Sequence, residues 1–109
     1  MINSIQNNLD KIIEACQKHK VSSLYLFGSG ARENDFTEKS DLDFLVNFIP
    51  TLSNSDEEIF QRVANKESLG NAIESITKRK VDLIQEEFIK NRYLLYFINK
   101  EKKILYGVS

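Results

Sequence analysis

Leu26-Phe27-Gly28-Ser29-Gly30-Ala31-Arg32 and, separated from the Gly-Ser pair by eleven residues, Asp41-Leu42-Asp43-Phe44-Leu45-Val46 are the segments on which the fold turns. Val21 to Phe27 is short, rich in apolar residues and stopped by Gly28, which predicts a strand. Asp41 to Phe48 predicts a second strand, ended by Pro50. The polar residues 28–40 between them predict a loop with one short helical turn. Aspartate is depleted in strands, yet two of them open the second strand. Strand alternation puts Asp41 and Asp43 on one face, with Leu42 and Phe44 on the other. Two adjacent like charges resist joint ionisation. A divalent cation removes that conflict, and Mg²⁺ is typically held by one or two carboxylates together with substrate phosphates.

Outward from this pair, Ile5, Leu9, Ile12, Ile13 and Cys16 recur at helical spacing and predict an amphipathic helix over residues 4–19. Ser55 with Glu58 fits a capping box. A helical region is expected from there to about Arg79, with Gly70 as a candidate break. Val81 to Gln85 predicts a third strand, Glu86 to Glu101 a helix, and Ile104 to Tyr106 a short last strand. The order α-β-β-α-β-α predicts an α+β (mixed α/β) fold: a short mixed sheet of three to four strands flanked by helices. Residues 1–109 read as a single domain.

Composition bounds the function. Hydrophobic residues make up 41% of the 109 residues, with seven Phe and four Tyr, enough for a real core. A lone Cys cannot form an internal disulfide, and one His with one Cys excludes a structural zinc site within one chain. No apolar run approaches the length of a membrane span and the N-terminus lacks a signal-peptide pattern, so a cytoplasmic protein is expected. Residues 1–77 carry 7 basic and 12 acidic side chains, whereas residues 78–109 carry 8 basic and 4 acidic. The basic end, from Lys78-Arg79-Lys80 to Lys103, reads either as a solvated helix face or as an attraction for phosphate-bearing or acidic partners.

The chemistry gathers around the carboxylates. Val81-Asp82-Leu83-Ile84 sets one acid inside an apolar strand. If that strand neighbours the Asp41–Phe48 strand, Asp82 faces the same way as the other two. Three carboxylates on one sheet face would form a cage for two metal ions of a phosphoryl-type displacement. The plainer alternative makes Asp41 a turn residue, leaves Asp43 exposed on an edge strand and pairs Asp82 with Lys80. The upstream turn changes the weighing. Gly28 admits close backbone approach, free amides at such a turn cradle phosphate oxygens, Ser29 adds a donor and Arg32 a cationic fork. Cys16 and His19 read as structural, one on the buried helix face and the other near its end.

The combined run Gly28-Ser29 … Ser40-Asp41-Leu42-Asp43 resembles the signature of the DNA polymerase beta-like nucleotidyltransferases. Leu26 to Arg32, Lys80-Val81-Asp82-Leu83 and the closing Leu105-Tyr106-Gly107 are similar to the minimal members of that superfamily. Glu33 departs from the pattern, since many members have Gly after the Arg. The resemblance implies that Asp41, Asp43 and Asp82 are catalytic and hold two Mg²⁺ ions. It also implies that Gly28, Ser29 and Arg32 hold the phosphates of an ATP substrate.

Minimal members typically act as antitoxins that transfer AMP to a tyrosine hydroxyl of a HEPN ribonuclease toxin. The resemblance therefore implies a toxin partner in a homo- or hetero-oligomer. The lack of an apolar run argues against a membrane, and a nucleic-acid partner, for which only the basic end speaks, is not expected. Two other readings stay open at this point: an antitoxin that neutralises by contact alone, and a nucleotidyltransferase acting on a small molecule. The aromatic-rich stretch from Phe88 to Ile98 covers more than one helical face, so Tyr93 and Tyr96 are either core or partner surface.

Overall fold

The computed structural model describes residues 1–50 and 55–107. Four strands, β1 (Val21–Phe27), β2 (Leu42–Phe48), β3 (Val81–Gln85) and β4 (Lys103–Tyr106), form one mixed sheet in the order β3-β2-β1-β4. β1 pairs antiparallel with β2 and β4, whereas β2 and β3 run parallel. A parallel pair needs a long crossover, and the 22-residue helix α3 (Asp56–Thr77) supplies it. Helices α1 (Asn3–Gln6) and α2 (Leu9–Lys18) precede the sheet, and α4 (Arg92–Glu101) separates β3 from β4. The expected mixed sheet flanked by helices is the one observed.

The alternation of each strand sorts its side chains between two layers. Leu24 and Leu26 of β1, Leu42, Phe44 and Val46 of β2, and Leu83 of β3 pack with Ile5, Ile12, Cys16, Leu69 and Ile73 of the first three helices. The opposite face is thinner: Phe27 and Leu45 meet Ile98 of α4, with Tyr25, Ile84 and Ile89 packed around them. Asp43 and Asp82 lie on this second face, two residues before Leu45 and Ile84 on their strands.

Several element boundaries differ from expectation. The predicted helix over residues 4–19 breaks at Asn7–Asn8, where Asn8 Nδ2 donates to the Ser4 carbonyl at 2.8 Å. Asparagine side chains compete in this way with the helical ladder. α3 runs unbroken through Gly70, because Leu69 and Ile73 beside it are fully buried and outweigh the roughly 1 kcal/mol propensity cost of glycine. The helix expected from Glu86 starts only at Arg92. Glu86–Phe88 forms a 3₁₀ turn and Ile89 is extended. Asn91 Oδ1 then accepts from the Tyr93 and Leu94 amides, a local N-cap that resets the helix start. Ser55 caps α3, its Oγ accepting from the Glu58 amide.

Cys16 and His19 do structural work. Burial pushes the Cys16 thiol up to about 12, and His19 Nδ1 lies 2.7 Å from the Ala15 carbonyl oxygen at the end of α2. Gly107 closes β4 at φ +106, where a Cβ would strike the Ser22 carbonyl. Among the described residues no helix is long and apolar enough to cross a membrane.

Among the described residues Phe44 is the largest fully buried side chain, and it belongs to the main core between the sheet and the first three helices. Phe44→Ala is expected to cost about 3–5 kcal/mol. Urea unfolding followed by circular dichroism should show that loss as a lower midpoint.

Candidate active site

The candidate residues meet where the C-terminal end of β1 runs beside the N-terminal ends of β2 and β3. Asp43 opposes Phe27 on β1 and Asp82 on β3. Opposed residues of neighbouring strands project to the same face, so the register sets the Asp43 and Asp82 carboxyls side by side. Asp41 stands just before β2 rather than within it. Leu42 N bonds the Lys80 carbonyl at 2.9 Å and ties the entrances of β2 and β3 together.

Electrostatics identify Asp43 as the centre of the cluster. Burial holds its carboxyl above the ordinary aspartate range. The negative charges of Asp82, then Asp41, push it further up, and Arg32 pulls the other way. Asp41 and Asp82 themselves are exposed. Asp82 makes no ion pair with Lys80 among the described residues. Nor do any three His, Cys, Asp or Glu side chains among them stand close enough to hold a metal ion as they lie. The donor set nevertheless suits a hard divalent cation: oxygen ligands only, mutually repelling, with one member half-buried.

The Gly28–Gly30 segment leaves β1 as a 3₁₀ turn, closed by hydrogen bonds from the Ala31 and Arg32 amides to the Gly28 carbonyl at 3.0 and 3.1 Å. Gly28 sits at φ +71, and a Cβ on it would lie 2.5 Å from Asp43 Oδ2. Only glycine allows the turn to pack against that carboxylate. Ser29 lies in the same turn, partly exposed. Arg32 follows it, its Nε 2.9 Å from Asp35 Oδ2 and its Nη1 bonded to Glu101. Glu33, where the pattern departs, is engaged by the Met1 amino group at 2.6 Å and by Lys103 at 3.9 Å, which hold its carboxyl low.

Two residues of the site escaped the sequence reading. Arg79, grouped there with a basic patch, stacks over Phe36 at 4.3 Å and donates to the carbonyls of Thr37, Glu38 and Ser40 at 3.2, 3.4 and 3.2 Å. It therefore pins the loop that delivers Asp41. Glu101, the last residue of α4, accepts from the Gly28 amide at 2.9 Å and from Arg32. Its one sequence signal is an acid in the last turn of a helix, where the macrodipole favours cations. The outer side of α4 is unburied, with Tyr93, Tyr96 and Phe97 79%, 54% and 63% exposed.

Residues 10–109 match the family "Polymerase beta, Nucleotidyltransferase". The chain belongs to that family. This nucleotidyltransferase is 37% identical over 84 residues to a Methanocaldococcus jannaschii protein named "putative protein adenylyltransferase", covering 77% of this chain and 76% of that one. A second protein of the same name and organism is 33% identical over 88 residues, with 81% and 80% covered. Among solved structures, a chain of a toxin–antitoxin crystal structure with AMP-PNP superposes with TM-score 0.69 at 25% identity, covering 94% of this chain and 75% of that one. A chain of the tri-AMPylated Shewanella oneidensis HEPN toxin in complex with its MNT antitoxin superposes with TM-score 0.63 at 25% identity, covering 94% and 72%.

Two outcomes are expected of the site. Gly28→Ala should lower nucleotidyl transfer by about 100-fold while the circular dichroism spectrum is kept, since it displaces the Asp43 carboxylate. Asp43 binds its proton more tightly in the folded than in the unfolded chain, so its contribution to stability falls as pH rises between the ordinary and the raised value. In EDTA at pH 7, Asp43→Asn should therefore raise Tm, and that gain should vanish below the ordinary carboxylate range.

Proposed function

We propose that this nucleotidyltransferase is an antitoxin that transfers AMP from ATP to a tyrosine hydroxyl of a HEPN ribonuclease toxin. The observation that carries the reading is the register of Asp43 against Asp82 with the Gly28 turn seated on the Asp43 carboxylate. This arrangement supports reading the Gly28 turn as a phosphate holder beside a carboxylate pair. The adenylyltransferase name of the relatives and the AMPylated toxin complex among the structural neighbours support the same acceptor class.

In the reaction the tyrosine oxygen attacks the α-phosphorus of ATP, the bond from that phosphorus to the β-phosphate bridging oxygen breaks, and pyrophosphate leaves. Asp41, Asp43 and Asp82 would hold Mg²⁺, two ions when substrate is bound, which would supply charge neutralisation for the triphosphate and the transition state. The Gly28 amide, the Ser29 hydroxyl and Arg32 bind and orient the phosphates for in-line attack. Asp82, the exposed member of the pair, takes up the tyrosine proton, which a hydroxyl of pKa near 10 does not release unaided at neutral pH. The exposed aromatics of α4 give the toxin an apolar surface beside the site.

Incubation with Mg²⁺, ATP labelled on the α-phosphate and the toxin encoded next to it should place label on the toxin. Asp43→Ala should abolish that label. Inhibition of the toxin that persists with no label from any of the four NTPs would leave a contact antitoxin instead. Label on a small hydroxylated acceptor in the absence of toxin would reassign the substrate.

A further inference from the structure

Glu101 spans the two groups that the proposed function assigns to the triphosphate. One carboxylate oxygen accepts from the Gly28 amide at 2.9 Å, and the other accepts from Arg32 Nη1. A backbone amide at a glycine turn together with a guanidinium is the donor pair that phosphate oxygens use. Glu101 is only about one quarter exposed, so the contact is made inside the site rather than on the open surface. It also adds to the negative charge felt by Asp43. Its position at the C-terminal end of α4 opposes the helix macrodipole, a local cost that the two hydrogen bonds offset. Asp35 makes a useful contrast, for it pairs with the same guanidinium but, among the described residues, its carboxylate reaches only Arg32.

We infer that Glu101 is an internal occupant of the phosphate subsite, which ATP must displace from the Gly28 amide and Arg32 in order to bind. The inference rests on the reading of Gly28 and Arg32 as the phosphate holder, and it adds a regulation of that site. A triphosphate and a carboxylate cannot share one amide proton and one side of a guanidinium, and their like charges repel. The apparent dissociation constant for ATP is then the intrinsic one divided by the fraction of molecules in which Glu101 has swung away. Glu101→Gln keeps the size of the side chain and removes the charge that makes it a phosphate mimic.

The test is calorimetric titration of the full chain with Mg-ATP. Glu101→Gln should tighten binding by about tenfold, the effect of raising a one-in-ten open fraction to near unity. Asp35→Asn removes the same unit of charge near Arg32 and should change binding less than twofold, within ordinary surface effects. Equal tightening by both variants would reduce the effect to net charge and overturn the inference. Unchanged or weaker binding by Glu101→Gln would also overturn it, and would make Glu101 a support for Arg32. Arg32→Ala separates the two levels. If it leaves Mg-ATP binding intact, the phosphate-holder reading itself fails. If it weakens binding while Glu101→Gln has no effect, only the present inference fails. Should Glu101→Gln perturb folding, the parent protein decides by NMR. A nuclear Overhauser contact between the Gly28 amide proton and the Glu101 side chain should be present in the free protein and lost at saturating Mg-ATP. Its persistence with ATP bound would overturn the inference.

Discussion

The pairing of β2 with β3 is the constraint on which the rest depends. Backbone hydrogen bonds set the Asp43–Asp82 register, and those bonds do not sense the charge conflict they create. The conflict is tolerated because the other face of the same strands is the best-buried part of the molecule. Leu42, Phe44 and Val46 are fully buried there, and Leu83 nearly so, against α2 and α3. Period-two alternation makes the two faces inseparable, since a one-residue slip would carry the leucines and phenylalanine into water. Core burial thus holds two acids where their own electrostatics would not.

The site face is the thinner one, and this suits its work. Among the described residues, the buried cluster on this face is Phe27, Leu45 and Ile98, which leaves the strand ends open to a ligand. Rigidity at the entrance comes from backbone-directed contacts instead of packing. Arg79 fastens the Thr37–Ser40 turn through three carbonyls, Glu74 Oε1 accepts from the Val81 amide at 3.0 Å, and Gly28 nests on Asp43. Each fixes a strand entrance or the turn that carries one of the proposed functional groups. A nucleotidyl transfer that relies on positioning and charge neutralisation needs this kind of support.

α4 links two features that lie apart in sequence. Its exposed aromatic side offers a surface to a protein, and its last residue reaches the phosphate turn. The Asn91 cap delays the start expected at Glu86 by six residues and leaves the end at Glu101 where it was expected.

Much of this protein was legible in the chain itself, because the governing interactions are local or periodic. The apolar run Val21–Phe27 with its Gly28 stop, the strand read from Asp41 to Phe48, the Ser55 cap and the acids at 41, 43 and 82 all announce themselves within a few residues. Tertiary structure alone decided what depends on distant partners. The roles of Arg79 and Glu101 rest on contacts across about 40 and 70 positions, and a sequence window sees only a cation in a basic run and an acid at a helix end. The continuity of α3 through Gly70 was settled by burial of its neighbours, and the break at Asn7–Asn8 by a side-chain bond that competes with the helix. The order β3-β2-β1-β4 was likewise a global choice: it is the hydrogen bonding between strands remote in sequence that brings Asp82 beside Asp43.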